Sequence, residues 1–417
     1  MRRIVIGLSS VVLMLCLAAP LYATNGDNLI GVGPVSRSMG GVGIASPQDA
    51  ISAVFANPSA MCFAPYCPSS QFDFAGTLFM PKVKASVTNG ANTASADSEE
   101  NVYAIPAIGF SVPIESGPQS WRFGLSAYGV TGLGVDYRGT AIDDATIAGI
   151  LPGVSGEYTS LQIMKFAPAV AFQPNSKWSV GAAVHVDYGI LDLRSGSSAG
   201  YALGFQPGVT YTPTANWTFG AVYVTPQKIT HKNISDFDQD GHLDDLDLES
   251  PQQLGLGAAY TFTPLHLQVE ADLKWINWSN AAGYRDFDWS DQWVYALGAQ
   301  YSATQNLKVR VGYNYAANPV KEHNGFTGYQ LTSVQGKNMP RYYYETFRII
   351  GFPAVAEQHI TLGVGYQFGQ NLILDLGYMY AFENTIRETG TNVIGQQSSL
   401  QSTLSESSID FGLTWRF

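Results

Sequence analysis

The chain has 417 residues, of which only 13% are charged and 12% are aromatic, with 43 glycines and 23 tyrosines. Thirty-three acidic residues against 22 basic ones give a formal net charge of −11, which argues against a nucleic-acid partner. So few charges beside so many aromatics is unlike a soluble enzyme.

Residues 1–23 read as a secretory signal: Arg2 and Arg3 supply the positive start, Ile4 to Ala19 is apolar, and Leu21-Tyr22-Ala23 precedes a cleavage point. Cys16 follows the bulky Leu15 where a lipidation signal wants a small residue, so an ordinary cleaved signal is the better reading. Losing Arg2 and Arg3 moves the net charge from −11 to −13. Past the signal no apolar run reaches the roughly eighteen residues of a transmembrane helix. An exported chain of this composition fits an outer-membrane β-barrel. Cys62 and Cys67 survive processing, and in an oxidising periplasm they can close a short disulfide or remain two thiols.

Residues 24–69 form the next unit. From Gly31 through Met39-Gly40-Gly41 to Asn57-Pro58-Ser59 it is rich in small residues and poor in charge. Apart from Ile51, Val54 and Phe55 it has little periodicity of either helix or strand.

Residues 70–417 read as strand after strand. In Ile409-Asp-Phe411-Gly-Leu413-Thr-Trp415-Arg-Phe417 the odd positions are apolar and the even ones small, polar or charged. Leu307 to Tyr315, Ile360 to Phe368 and Leu372 to Phe382 repeat the pattern. Fourteen segments qualify: 71–87, 101–113, 120–131, 157–172, 177–190, 200–212, 216–229, 252–263, 265–277, 292–302, 306–316, 356–368, 371–383 and 404–417. Connections after even strands are short, such as Pro174 to Lys177, and several after odd strands are long, at 132–156, 230–251, 317–355 and 384–403. A soluble sandwich alternates too, but the terminal aromatic and the Tyr and Trp at strand ends favour an all-β, antiparallel transmembrane barrel. Both termini then lie at the periplasmic end. Eight strands already make a barrel that side chains just fill, so fourteen leave a lumen to be blocked. The glycine-rich unit at 24–69 is the plug expected at the periplasmic mouth.

Arg37-Ser-Met39-Gly40-Gly41-Val-Gly43-Ile-Ala45, with Asp49-Ala50 and Asn57-Pro58, resembles the N-terminal hatch of FadL-type outer-membrane transporters. These take up long-chain fatty acids, and the TodX-like branch takes up aromatic hydrocarbons. The layout matches over the whole mature chain, although the family's Asn-Pro-Ala reads Asn57-Pro58-Ser59 here. The resemblance implies capture of a hydrophobic ligand at the outer loops, movement of a hatch gated around Met39, Gly40, Gly41, Asn57, Pro58 and Ser59, and sideways exit at a kinked third strand. Gly124, Gly129 and Gly132 are the kink candidates, since glycine in a strand marks a bulge or bend. The competing reading is that glycine is merely abundant.

The acidic stretch after the seventh strand follows a calcium-loop spacing at Asp236, Asp238, Asp240, His242 (through its carbonyl), Asp244 and Asp247, with Gly241 at the sharp turn. It predicts a Ca2+ ion ordering an outer loop; the plainer reading is a solvated acidic loop. Gly196-Ser-Ser198-Ala-Gly200 matches a nucleophile elbow only formally, because no strand-turn-helix surrounds it. In the loop from Arg138 to Glu157, Ile142, Ala145, Ile147, Ala148, Ile150 and Leu151 fit either a short amphipathic helix over the mouth or ordinary loop packing, and the loop at 317–355 is rich in Tyr, Phe and Ile that need a ligand or neighbouring loops. Arg138, Lys308 and Arg310 are candidate partners for a carboxylate. The expectation is a monomeric, non-enzymatic transporter of hydrophobic small molecules, embedded in outer-membrane lipid and lipopolysaccharide. A polar-solute porin and a lipid-acting barrel enzyme are the alternatives.

Overall fold

The computed structural model describes residues 25–62, 70–99, 102–116, 119–143 and 156–417. The signal reading, Cys67, the side chain of Cys62 and most of the stretch weighed as a mouth helix lie outside this set. The N-terminal segment carries two short helices, α1 (Pro34–Arg37) and α2 (Ala50–Ala56), and a 3-10 turn at Pro58–Cys62. Asp49 starts α2 by accepting from the Ser52 amide at 2.6 Å, the ordinary N-cap bond.

The wall begins with β1 (Gln71–Asn89), whose outer end folds back as β2 (Asn92–Asp97). It continues through β3 (Tyr103–Ser116), β4 (Gln119–Asp136), β5 (Tyr158–Asn175), β6 (Trp178–Asp192), β7 (Ser197–Tyr211) and β8 (Trp217–Val224). After a hairpin of β9 (Gln227–Ser235) and β10 (Asp244–Ser250) come β11 (Gln253–Phe262), β12 (Leu267–Ile276), β13 (Gln292–Ser302) and β14 (Leu307–Ala316). A long loop carries β15 (Phe326–Thr327), β16 (Leu331–Val334), β17 (Lys337–Pro340) and α3 (Arg341–Thr346), then β18 (Gln358–Phe368), β19 (Leu372–Thr391) and β20 (Gln397–Arg416) finish the wall.

The wall strands pair antiparallel in chain order, and β20 pairs with both β19 and β1. That closes a fourteen-stranded barrel with no free edge. In β20, Ile409, Phe411, Leu413 and Trp415 are exposed while Ser408, Asp410 and Thr414 are buried. The apolar face therefore points to lipid and the polar face to the lumen. Near the short turns, Trp121 lies on Phe172 at 4.4 Å, Trp178 on Tyr211 at 4.3 Å and Trp217 by Tyr260 at 4.7 Å. These rings make the aromatic band that sits at a membrane interface.

Two expectations are corrected. The stretch 384–403 is no long loop: β19 runs to Thr391 and β20 starts at Gln397, paired from Asn384↔Leu404 to Thr391↔Gln397. Its Ser and Thr residues, polar on both faces, extend the hairpin into the outer medium, where no apolar alternation marks a strand. The N-terminal segment, in turn, is not confined to the periplasmic mouth. Its first residues reach the outer half, where a Cβ on Gly26 would lie 2.7 Å from the indole of Trp278 in the β12–β13 loop.

Candidate functional site

Residues 25–62 run through the lumen and are tied to its polar face. The carboxylates of β12 do much of this: Asp272 Oδ2 accepts the Gly43 and Ile44 amides at 3.0 and 3.2 Å, and Glu270 Oε1 those of Ala45 and Ser46 at 2.8 and 3.1 Å. On β1, Asp73 accepts the Ala50 amide at 2.6 Å. Arg37 is 1% exposed and pairs with Asp410 at 2.8 Å, donating also to Ser408 Oγ at 2.8 Å. Without these partners the amides and the guanidinium would be buried unpaired, at a cost of about 1–3 kcal/mol for each amide.

Wall glycines let the segment lie directly on the strand backbone. A Cβ on Gly181 would come within 2.6 Å of the Ser59 nitrogen, and one on Gly109 within 2.6 Å of the Ile51 nitrogen. Cβ atoms on Gly220, Gly298 and Gly312 would overlap the backbone of Ile44, Met39 and Gly40. These glycines sit opposite one another across the ladder, Gly220↔Gly257, Gly298↔Gly312 and Gly363↔Gly377. Together they form a belt of bare backbone around the lumen.

The sequence-picked hatch residues sit in this belt. Gly40 donates to Thr361 Oγ1 at 3.0 Å and its carbonyl accepts from Asn314 Nδ2 at 2.9 Å. Met39 is 1% exposed and packs with Val42 and Ala296. Gly40 and Gly41 have φ of 73° and 84°, a left-handed turn that a side chain would strain. Asn57 Nδ2 donates to the Ile44 carbonyl at 2.8 Å and to Val209 O at 3.3 Å, so it joins the segment to itself and to β7. Ser59, where the resembled motif has alanine, uses its hydroxyl: Oγ lies 2.7 Å from both Asn57 Oδ1 and Thr210 Oγ1. Pro58 opens the following 3-10 turn.

Above the belt a cavity of about 60 Å3 separates the segment from the wall. Leu29, Phe55, Tyr128, Val130, Leu254 and Ile276 make it largely apolar, and Asn25, Asn28, Lys165, His185, Gln206 and Lys274 add polar groups. Phe55 and Tyr128 meet edge to face at 5.4 Å. Asp27, beside it, is buried and accepts from the Tyr284 hydroxyl; burial pushes its carboxyl up to about 7. Burial and the facing Asp73 push Asp49 up to about 7 as well.

The third wall strand, β4, carries a bulge. Its register against β5 shifts between Gly129 and Thr131, and the Val130 carbonyl accepts the Leu29 amide at 3.1 Å. Pairing with β3 stops at Ala107↔Tyr128, so beyond it the strand ladder continues from Tyr103 to Pro106 on β1 and from Gly129 to Asp136 on β5, while Asp136 is bridged to Ser98 and Glu99. The β3–β4 ladder is interrupted there, with the Ile105 side chain lying against Gly129, and a void of about 20 Å3 lies beside it, lined by Tyr103, Gly132 and Gly134 among others. Gly129 flanks the bulge and Gly132 lines the void, with nothing among the described residues within 4 Å of where its Cβ would sit. Gly124 is elsewhere, in regular register, and makes room for Met61.

Of the acidic loop, the structure brings together Asp236, Asp238 and Asp244, with ligand atoms within 4.8 Å of one another. Lys337 Nζ sits on them, 2.6 Å from Asp244 and 3.7 Å from Asp238. Asp240 accepts from the His242 amide at 2.9 Å, and Asp247 pairs with Lys228 at 2.7 Å, both apart from the trio. The cause is local: the stretch is a β-hairpin, so Asp247 lies on β10 against β9 instead of curling back on the loop. The aromatic loop at 317–355 packs on its neighbours, with Phe347 against Phe237 and Phe287. Arg310 is paired with Asp375 at 2.6 Å and Arg138 with Asp136 at 2.6 Å, so neither is a spare cation.

A lipid-facing barrel with an aromatic band and a lumen filled by its own N-terminal segment defines the class: an outer-membrane β-barrel with an occupied lumen. The chain belongs to the family described as outer membrane protein transport protein (OMPP1/FadL/TodX), which it matches over residues 28–200 and 192–326. It resembles the crystal structure of the Pseudomonas putida toluene transporter TodX at 20% identity, covering 94% of this chain and 100% of that one with a TM-score of 0.64. A Pseudomonas aeruginosa FadL homologue aligns at 16% identity over 96% and 100% of the two chains, with a TM-score of 0.67. The Ralstonia pickettii toluene transporter TbuX aligns at 18% over 94% and 99%, with a TM-score of 0.62. No curated protein matches. The protein therefore resides in the bacterial outer membrane and serves transport across it.

Proposed function

We propose that the protein passively carries hydrophobic compounds, fatty acids or aromatic hydrocarbons, across the outer membrane as a monomer. The observation that carries this reading is the pairing of a plugged lumen with an interrupted ladder in the wall. The N-terminal segment occupies the route a polar solute would take, while the interrupted β3–β4 ladder supports a place where the wall can part toward lipid. A hydrophobic ligand caught among the aromatic outer loops passes to the cavity beside Phe55 and Tyr128. Displacement of the segment from Val130 then clears the way to that place, and the ligand leaves sideways without entering water. Water-soluble cargo gains nothing from such an exit, which speaks against a porin. A calcium ion at Asp236, Asp238 and Asp244, replacing the Lys337 amine, would brace the β9–β10 hairpin. The test is uptake of labelled oleate and toluene by cells with and without the protein. Protein-dependent uptake of either one supports the reading, and uptake of neither sinks it.

A further inference from the structure

The lumenal cavity holds more polar chemistry than a hydrocarbon can use. Asn25 and His185 are 2% exposed and Asn28 9%, yet Asn25 Oδ1, Asn28 Nδ2 and His185 Nδ1 have no hydrogen-bond partner among the described residues. The His185 tautomer follows from its neighbour: Gln206 Nε2 donates to the Phe55 carbonyl at 2.9 Å, so Gln206 Oε1 accepts from His185 Nε2 at 2.8 Å. That leaves Nδ1 a bare acceptor. Lys274 brings a cation to the same cavity. Lys165 spends its charge on Asp187 at 2.7 Å, but the Lys274 amine makes no such ion pair among the described residues. Its strand neighbour Asp272 turns Oδ2 to the Gly43 and Ile44 amides instead.

We infer that this cavity seats a compact aromatic carboxylate of benzoate size. The inference rests on the uptake reading above and names its cargo. Lys274 Nζ and Asn28 Nδ2 are the donors for the carboxylate, and the ring lies against Phe55 and Tyr128. Water bound to the carboxylate donates to the two bare acceptors. A hydrocarbon would leave the Asn25, Asn28 and His185 atoms unpaired, and sites built to bond a polar group discriminate strongly against analogues lacking it. The void of about 60 Å3 is smaller than the roughly 150 Å3 of a cavity that takes up benzene, so a ring enters only as the lining side chains shift, and an extended acyl chain would need a far larger displacement.

The experiment is calorimetric titration of benzoate, toluene and oleate into the purified mature protein in amphipol. Benzoate should bind at least tenfold more tightly than toluene. Lys274→Met should weaken benzoate about tenfold or more, the range for a hydrogen bond to a charged group, and Lys274→Arg should restore it. Retained heat-modifiable migration on gels, together with the arginine rescue, separates this from misfolding. Absence of benzoate binding, or equal affinity in Lys274→Met, overturns the inference. Cells that take up toluene or oleate while the protein ignores benzoate overturn the inference alone; failure of all uptake overturns the transport reading.

Discussion

Substituting Gly312 with alanine should unseat the N-terminal segment without damaging the barrel. The new methyl group would overlap the Gly40 nitrogen and the Met39 carbonyl carbon, and would lie 2.6 Å from Thr361 Oγ1. Both neighbours on the segment are backbone, so neither can rotate away. Relief requires lifting the Met39–Gly41 turn, which breaks the Gly40 bonds to Thr361 and Asn314. Two hydrogen bonds at about 1 kcal/mol each, with about 1–3 kcal/mol of overpacking, give about 3–5 kcal/mol. The unseated population should rise roughly a hundredfold to a few thousandfold. Conductance across a planar bilayer reads this directly, because a fourteen-stranded barrel without its plug is a water-filled pore. Gly76→Ala serves as the control, since its methyl meets only the Phe411 ring on the lipid-facing side. The expected result is long open events in Gly312→Ala and none in Gly76→Ala. A silent Gly312→Ala protein with wild-type thermal stability would refute the idea that bare backbone seats the segment.

Three further outcomes follow from individual contacts. Asp27 is held near 7 against an ordinary 3.8, so the docked segment gains stability fully present below about pH 4 and lost as pH rises through 7. Protection factors at residues 25–31, corrected for the intrinsic pH dependence of amide exchange, should therefore be higher at pH 5 than at pH 8, and Asp27→Asn should abolish the difference; equal protection factors in the wild type would contradict this. Deleting Val130 should restore the β4–β5 register and mend the β3–β4 ladder, lowering toluene and oleate uptake by an order of magnitude while folded barrel still accumulates. Lys337→Met should tighten calcium binding by removing the amine that competes for Asp238 and Asp244, as titration of the purified protein would show; unchanged affinity places any calcium elsewhere.

The barrel was legible because lipid on one side and a wet lumen on the other impose strict alternation on every wall strand. Its outer extensions were not, because the 384–403 hairpin has water on both sides and nothing forces its Ser and Thr residues to alternate. The glycine belt left a visible mark: Gly312, Gly363, Gly377 and Gly412 each fall on the wet face of an alternating strand. Its meaning depended on where the segment runs, which a nonperiodic sequence does not disclose. For the same reason Gly124 read as a kink, although it clears space for Met61. Lys274 stood out as no more than another wet-face charge. That its amine makes no close ion pair among the described residues, while the segment's amides occupy Asp272 Oδ2, is a tertiary fact. The hairpin geometry that splits Asp247 from the acidic trio is likewise set by pairing and not by spacing.

The central claim, that cargo passes only when the segment moves, is tested by locking it to the wall. Ser59 Oγ and Thr210 Oγ1 are 2.7 Å apart, so Ser59→Cys with Thr210→Cys, in a background with Cys62 and Cys67 changed to serine, should form a disulfide. Uptake of labelled toluene and oleate is then followed in cells before and after reduction. The account predicts uptake blocked in the oxidised protein and restored by reductant. Wild-type uptake with the disulfide intact would contradict it.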